Sequence, residues 1–408
     1  MQKTFFFIVV LSVLFSCKQK GQDSPKLVEG DWLGQLQVSD TEVLPFNFTL
    51  SYLNDTPVIK MYNADEVITV DEIETKGDSI LIQMPVFEGY IAGIFSADVI
   101  TGDFIKESLN RIVPFSARPG DLPRFSTNQD ASVDVSGVWE TYFDYDTDAP
   151  YAAKGIFEQE GNKVMGTFRT KTGDYRYLEG VVEGDSLKLS TFDGAHAFLF
   201  TAKVSDSTLE GAFYSGNHSV EKFRANRNAD FELPDANTLT YLNEGYDSFE
   251  FSFPNADGQM VGLKDGEYKD KVVLVQIMGT WCPNCLDETK FYVDYLKKNP
   301  NEDLKIVALA FEYAKTEEKA FEGIKRLKER IDVPYPILLA QYGTSNKIKA
   351  NEKLPALNHV LSYPTTIYIN KAGKVKKIHT GFNGPATGEK HESFKREFHK
   401  TVQELLTG

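Results

Sequence analysis

Trp281-Cys282-Pro283-Asn284-Cys285 is the stretch on which the reading of this chain turns. An apolar run, Val272-Val273-Leu274-Val275-Gln276-Ile277-Met278, precedes it, and a helix-like segment, Leu286 to Lys298, follows. This order predicts a strand that delivers two cysteines into the first turn of a helix, the layout in which thiol–disulfide exchange is carried out. At the helix N-terminus, unpaired backbone N–H groups and the positive end of the dipole favour thiolate over thiol at Cys282. Cys285 falls one turn deeper, close enough to displace a substrate sulfur from Cys282. Pro283 suits the first helical turn because it brings no N–H in need of a partner.

Other uses of a cysteine pair fit less well. A zinc site needs four ligands, usually a second cysteine pair or two closely spaced histidines, and the sequence offers neither. A structural disulfide more often closes a long loop, since a two-residue spacer gains little chain entropy. The expected redox group is therefore the Cys282–Cys285 dithiol itself, with no further cofactor and no metal. Thiol-dependent peroxide reduction would call for a peroxidatic cysteine outside such a pair, and none is present.

At 408 residues, with 41% hydrophobic and 25% charged residues, the chain has room for two to four ordinary globular domains. A net charge of −15 without a basic cluster excludes nucleic acid as a partner. One positive charge, Lys3, and an apolar core from Phe5 to Phe15 predict a signal peptide over residues 1–16. Leu14-Phe15-Ser16-Cys17 resembles a bacterial lipobox, which implies cleavage before Cys17 and lipidation of its sulfur; the alternative is a plain signal peptide. With Cys17 lipidated, three cysteines reduce to the single pair Cys282/Cys285, and no odd thiol remains in an oxidising compartment. Residues 17–28 are polar and pattern-free and read as a tether.

An internal repeat occupies the next stretch. Gly30-Asp31-Trp32 answers to Gly137-Val138-Trp139, and Gly77-Asp78-Ser79 to Gly184-Asp185-Ser186, both offset by 107; Gly102-Asp103-Phe104 answers to Gly211-Ala212-Phe213, offset by 109. Short alternating segments separated by turn signals predict about eight strands per copy and no helix. The expectation is two all-β antiparallel modules, barrel or sandwich, at 29–117 and 135–227, joined by a linker at 118–134. One larger merged β unit is the competing layout. The second copy is rich in aromatics (Tyr142, Phe143, Tyr145, Tyr151, Tyr175, Tyr177, Tyr214), which marks either a ligand cleft or cross-strand core pairs. A second linker, 228–245, leads into an α/β domain at 246–408. There, strands near 271–278, 304–310, 335–339, 365–369 and 374–378 alternate with helices near 283–298, 316–330 and 389–406, and 340–362 reads as irregular.

The C-terminal part resembles the thioredoxin fold, and specifically the TlpA/ResA-like membrane-tethered thioredoxins. The resemblance rests on Phe251-Ser252-Phe253-Pro254…Asp257-Gly258, Gly279-Thr280-Trp281-Cys282-Pro283-Asn284-Cys285, Glu288 and Tyr363-Pro364-Thr365-Thr366. It implies that Pro364 is a cis-proline facing the dithiol, so that the Tyr363 backbone can pair with an extended substrate. It also implies that Glu288 is an acid near the thiols, able to handle the proton of Cys285. The strand position that is acidic in thioredoxin itself is Gln276 here, which leaves Glu288 as the proton handler. Trp281 is expected to pack beside the disulfide, and Gly381 to Gly388 to form a loop on the active-site side. The function implied is thiol:disulfide exchange with exported protein thiols and disulfides, fed by a membrane thioredoxin-type donor or acceptor. The place implied is the bacterial envelope, lipid-anchored and facing the periplasm. Pro283 resembles its counterpart in glutaredoxin and in the oxidant DsbA, whereas the domain type resembles reductants of cytochrome c maturation; reduction is the direction favoured. The alternative is a binding or scaffold lipoprotein whose β modules hold a ligand, with the thioredoxin domain accessory.

Overall fold

The computed structural model describes residues 26–408; the stretch read as a signal peptide, Cys17 and most of the stretch read as a tether lie outside the described residues. Two nine-stranded antiparallel sheets come first, followed by a five-stranded mixed sheet with helices. The β repeats are thus two separate barrel-like sheets rather than one merged unit. Each has nine strands where alternation predicted about eight, because segments as short as Gly173–Asp174 carry too few residues to show a period.

In the first sheet Gly30–Gln37 pairs with Arg111–Pro119 as well as with its sequence neighbour, so the meander curls back on itself. Its edges are Glu66–Val70 and Glu72–Lys76, which leaves it nearly closed. The second sheet closes fully: Gly137–Phe143 pairs with Ser219–Arg227, and Lys163–Thr170 bridges Tyr151–Glu160 and Leu178–Glu183. The repeated tryptophans do the same work in both rings. Trp32 and Trp139 are fully buried, and each indole N–H donates to the carbonyl four residues upstream, Val28 at 3.0 Å and Val135 at 2.8 Å. Gly102 and Gly211 let the facing strand approach, since a Cβ there would sit 2.1 Å from the Ala92 carbonyl and 1.9 Å from the Thr201 carbonyl.

The two rings pack through apolar side chains. Phe192 of the second is fully buried against Phe46 (4.6 Å between ring centres) and edge-on to Phe104 (5.0 Å) of the first.

In the C-terminal domain, Val272–Met278 lies parallel to Leu304–Phe311 and antiparallel to Thr365–Ile369. All seven of its residues are buried, as a strand covered on both faces requires. The helices are α1 (Pro283–Lys298), α2 (Glu317–Ile331), α3 (Lys347–Lys353) and α4 (Glu389–Thr407). Helix α2 buries Ala320, Ile324 and Leu327, with Phe321 of the same expected face only half-buried, and α4 buries Phe394, Phe398, Val402 and Leu405. The stretch 340–362 is not wholly irregular, because Asn346 caps α3 by accepting from the Ile348 and Lys349 N–H groups. Ser252–Pro254 pairs with Met260–Gly262, while Phe249 and Phe251, just before it, enter the core. Among the described residues no helix is long and apolar enough to cross a membrane.

The domain docks on both rings. Arg326 of α2 grips Glu72 of the first ring with two hydrogen bonds of 2.9 Å and reaches the Met84 carbonyl at 2.7 Å. The second ring approaches the N-terminus of α1, where the cysteines are.

Candidate active site

Cys282 is the N-cap of α1 and Pro283 its first residue. The Cys285 N–H is directed at the Cys282 sulfur (3.2 Å), and the Cys282 thiol donates to the Tyr363 carbonyl (3.3 Å). Both sulfurs are free thiols and both are buried, Cys282 with 6% of its surface exposed and Cys285 with none. The Tyr363–Pro364 peptide bond is cis. Gly381, at the start of the glycine-rich loop, donates its N–H to the Pro364 carbonyl at 2.9 Å.

Beneath the dithiol is a closed polar pocket. Glu288, one turn past Cys285, is fully buried. It accepts from Gln276 Nε2 (2.9 Å) and from Thr366 Oγ1 (3.0 Å). Burial pushes its carboxyl up to about 7 against those hydrogen bonds, so that at neutral pH it can hold or release a proton. Burial also pushes the Cys285 thiol well above its ordinary value, with the Cys282 sulfur and then Glu288 adding to it. Gln276, on the central strand, orients this acid instead of replacing it.

A second buried acid had no signal beyond its place at the end of an apolar strand. Glu312 accepts from the Thr280 N–H and hydroxyl, both at 2.8 Å, and so fixes the turn that leads to Cys282. Burial raises it to about 7. Trp281 donates its indole N–H to the Phe311 carbonyl (2.9 Å) and meets Tyr363 edge-on at 5.6 Å.

The sequence did not disclose that the second ring reaches this site. The turn after Lys163–Thr170 lies against the cis-proline loop and α1: Ser362 donates to the Thr172 carbonyl (2.8 Å), Asn284 to the Asp174 carbonyl (3.2 Å), and the Gly384 N–H to Asp174 Oδ2 (2.6 Å). Gly173 is obligatory there. Its φ is +148°, and a Cβ would lie 2.0 Å from Asn284 Nδ2. Arg176 is buried at the junction of all three units. Its guanidinium bonds Asp287 of α1 and Glu66 of the first ring, lies 3.5 Å from Asp193 of its own, and reaches the Pro283 carbonyl at 3.3 Å. Burial raises Glu66 in spite of Arg176, whereas Asp193 is held below the usual carboxylate range because His196 and Arg176 outweigh its burial. Of the aromatics in the second copy, Phe143 is fully buried in the barrel core, while Tyr151 and Tyr175 line the cleft above Cys282.

A thioredoxin-type domain with two cysteines on the first turn of its first helix and a buried acid below them defines a thiol–disulfide oxidoreductase. Residues 234–393 match the family model described as Redoxin, and the C-terminal domain is a thioredoxin-fold member of that family. Over 140 residues the chain is 29% identical to the thioredoxin-like protein YneN of Bacillus subtilis, covering 34% of this chain and 73% of that protein. It is 28% identical to the thiol-disulfide oxidoreductase ResA of the same organism, covering 34% and 69%. Among solved structures it is similar to a thiol:disulfide interchange protein of the thioredoxin family from Chlorobium tepidum (21% identity, 40% of this chain, 98% of that one, TM-score 0.30).

Proposed function

We propose that the protein is a membrane-anchored thiol:disulfide oxidoreductase that reduces disulfides of exported substrates, held by lipidated Cys17 in the bacterial envelope and facing the periplasm. Cys282, as thiolate, attacks a substrate disulfide; a Cys282–substrate disulfide forms and the first substrate thiolate leaves. Glu288 takes the proton of Cys285, whose sulfur then attacks Cys282, forms the Cys282–Cys285 disulfide and expels the second substrate thiolate. Two electrons pass to the substrate, and a thioredoxin-type dithiol in the membrane restores the pair. The observation that carries this reading is the placement of Cys282, Cys285 and Glu288 in order down one helix, beside the Tyr363–Pro364 bond. The reducing direction is favoured because the domain type resembles reductants; the potential of the pair against its donor decides it.

The test is reduction of insulin disulfides by the full chain with dithiothreitol as donor. Cys282→Ser should abolish turnover, and Cys285→Ser should accumulate a mixed disulfide. Unchanged turnover in Cys282→Ser would end the proposal.

A further inference from the structure

The second β ring builds one wall of the catalytic cleft, and the chemistry of that wall says what the cleft takes. The cleft over Cys282 has a volume of about 430 Å³, in the range that holds small ligands. One side is Trp281, Tyr363 and α1; the other is Tyr151, Tyr175 and the Lys171–Asp174 turn. The two tyrosines are pinned, hydroxyl to hydroxyl at 2.6 Å with Tyr151 also donating to Glu221, and so present fixed ring faces.

Two lysines lie at the cleft, Lys171 from the ring and Lys347 from α3. Both line the same cleft as Cys282. Lys347 is solvent-exposed, yet crowding by the cleft lowers its pKa, Lys171 adds to the lowering, and the Cys282 sulfur opposes it. The acid of the lining, Asp174, is already occupied, with one oxygen accepting from the Gly384 N–H and the other from the Arg176 N–H. Two lining residues keep polar atoms that are closed off from water and have no protein partner, Asn284 Oδ1 and the Tyr363 hydroxyl.

We infer that this cleft selects a cysteine disulfide carried on a short, extended, carboxylate-bearing peptide segment, with Lys171 and Lys347 as the specificity-determining cations. The inference rests on the oxidoreductase reading above. The chemistry of each step is unchanged: the anionic half binds with its carboxylates at the lysines, Cys282 attacks its sulfur, and the partner half leaves as thiolate. The same chemistry is offered by a free tripeptide disulfide and by a cysteine in an unfolded acidic stretch of a protein.

The test uses the full chain, reduced with dithiothreitol and desalted, in single-turnover oxidation followed by Trp fluorescence. The probes are oxidised glutathione (anionic), cystamine (cationic), and an unfolded acidic peptide disulfide-linked to a small thiol. Oxidised glutathione should react at least about tenfold faster than cystamine at low salt. The preference should narrow in 1 M salt, where the screening length falls to about 3 Å. Lys171→Glu combined with Lys347→Glu should reverse the preference; both side chains are exposed, so folding is not at stake, and an unchanged thermal midpoint checks this. Reaction of the acidic peptide as fast as glutathione identifies a protein segment as the source, and reaction of glutathione alone identifies a free peptide. Equal rates for the two charges, or a preference untouched by the double reversal, overturn the inference while leaving the dithiol chemistry intact. If no disulfide, insulin included, oxidises the pair, the oxidoreductase reading itself fails.

Discussion

In the proposed exchange, Glu288 is the side chain on which the second half depends. With its carboxyl raised to about 7 it is partly ionised at neutral pH, poised to take the proton that burial holds on Cys285. Glu288→Gln keeps the shape and removes the base. The first attack on a substrate disulfide should then proceed at its usual rate, while resolution of the mixed disulfide slows about a hundredfold, read by quenched-flow trapping of the intermediate. Resolution in the unaltered protein should quicken as pH rises through about 7, and that inflection should vanish in Glu288→Gln. If both steps slow equally, the residue is holding the fold and not moving a proton. These residues were legible because helical spacing converts directly into geometry: Cys282, Cys285 and Glu288 are three residues apart. Glu312 was not, since an acid at the end of an apolar strand gives no sign of which backbone group it will accept from.

At the scale of single elements, the segment from Gly173 to Tyr177 joins three units. Arg176 is enclosed by Asp287, Glu66 and Asp193, and removing its charge leaves Asp287 and Glu66 buried without an ion-pair partner and Asp193 with His196 alone. Arg176→Met should lower the stability of the full chain to urea by about 3–5 kcal/mol. Arg176→Lys should recover little of it, because a point charge cannot serve several carboxylates in fork geometry. A loss within about 0.5 kcal/mol would mean the ring and the thioredoxin domain are held by their apolar contacts alone. Sequence spacing could not bring Arg176 to Asp287, 111 residues away in the chain. A sign was nevertheless present. Where the first copy has the alternating Glu66-Val67-Ile68-Thr69-Val70, the second has Gly173-Asp174-Tyr175-Arg176-Tyr177, with alternation gone and a glycine gained. The repeat was readable from its tryptophans and turn glycines because both copies need them for the same contacts. The departure from the repeat was where the catalytic wall lay.

For the molecule as a whole, buried acids set the pH dependence of stability. Burial raises Asp174 to about 6, and Glu288 and Glu312 to about 7, from ordinary values near 4. The folded state then keeps protons that the unfolded chain has released, so stability falls as pH rises from about 4 to about 7 and is flat above. For Glu288 alone, the difference amounts to at most about 3 kcal/mol. The thermal midpoint should be higher at pH 5 than at pH 8, and Glu288→Gln with Glu312→Gln should flatten that slope. A midpoint that climbs from pH 5 to pH 8 would contradict it. Asp193, held low, acts in the opposite sense only at more acidic pH, as its proton returns.

The two rings differ in one stave. The second closes without the short Gly173–Asp174 strand, which hangs from Lys163–Thr170 outside the circuit, and in the first the corresponding Glu66–Val70 stands at an open edge. A piece that no ring needs for closure can have its sequence set by the neighbouring domain instead, as Gly173 and Asp174 do. Duplicating such a ring therefore lets one copy turn this segment toward a fixed sulfur chemistry while the other keeps it as an ordinary edge strand.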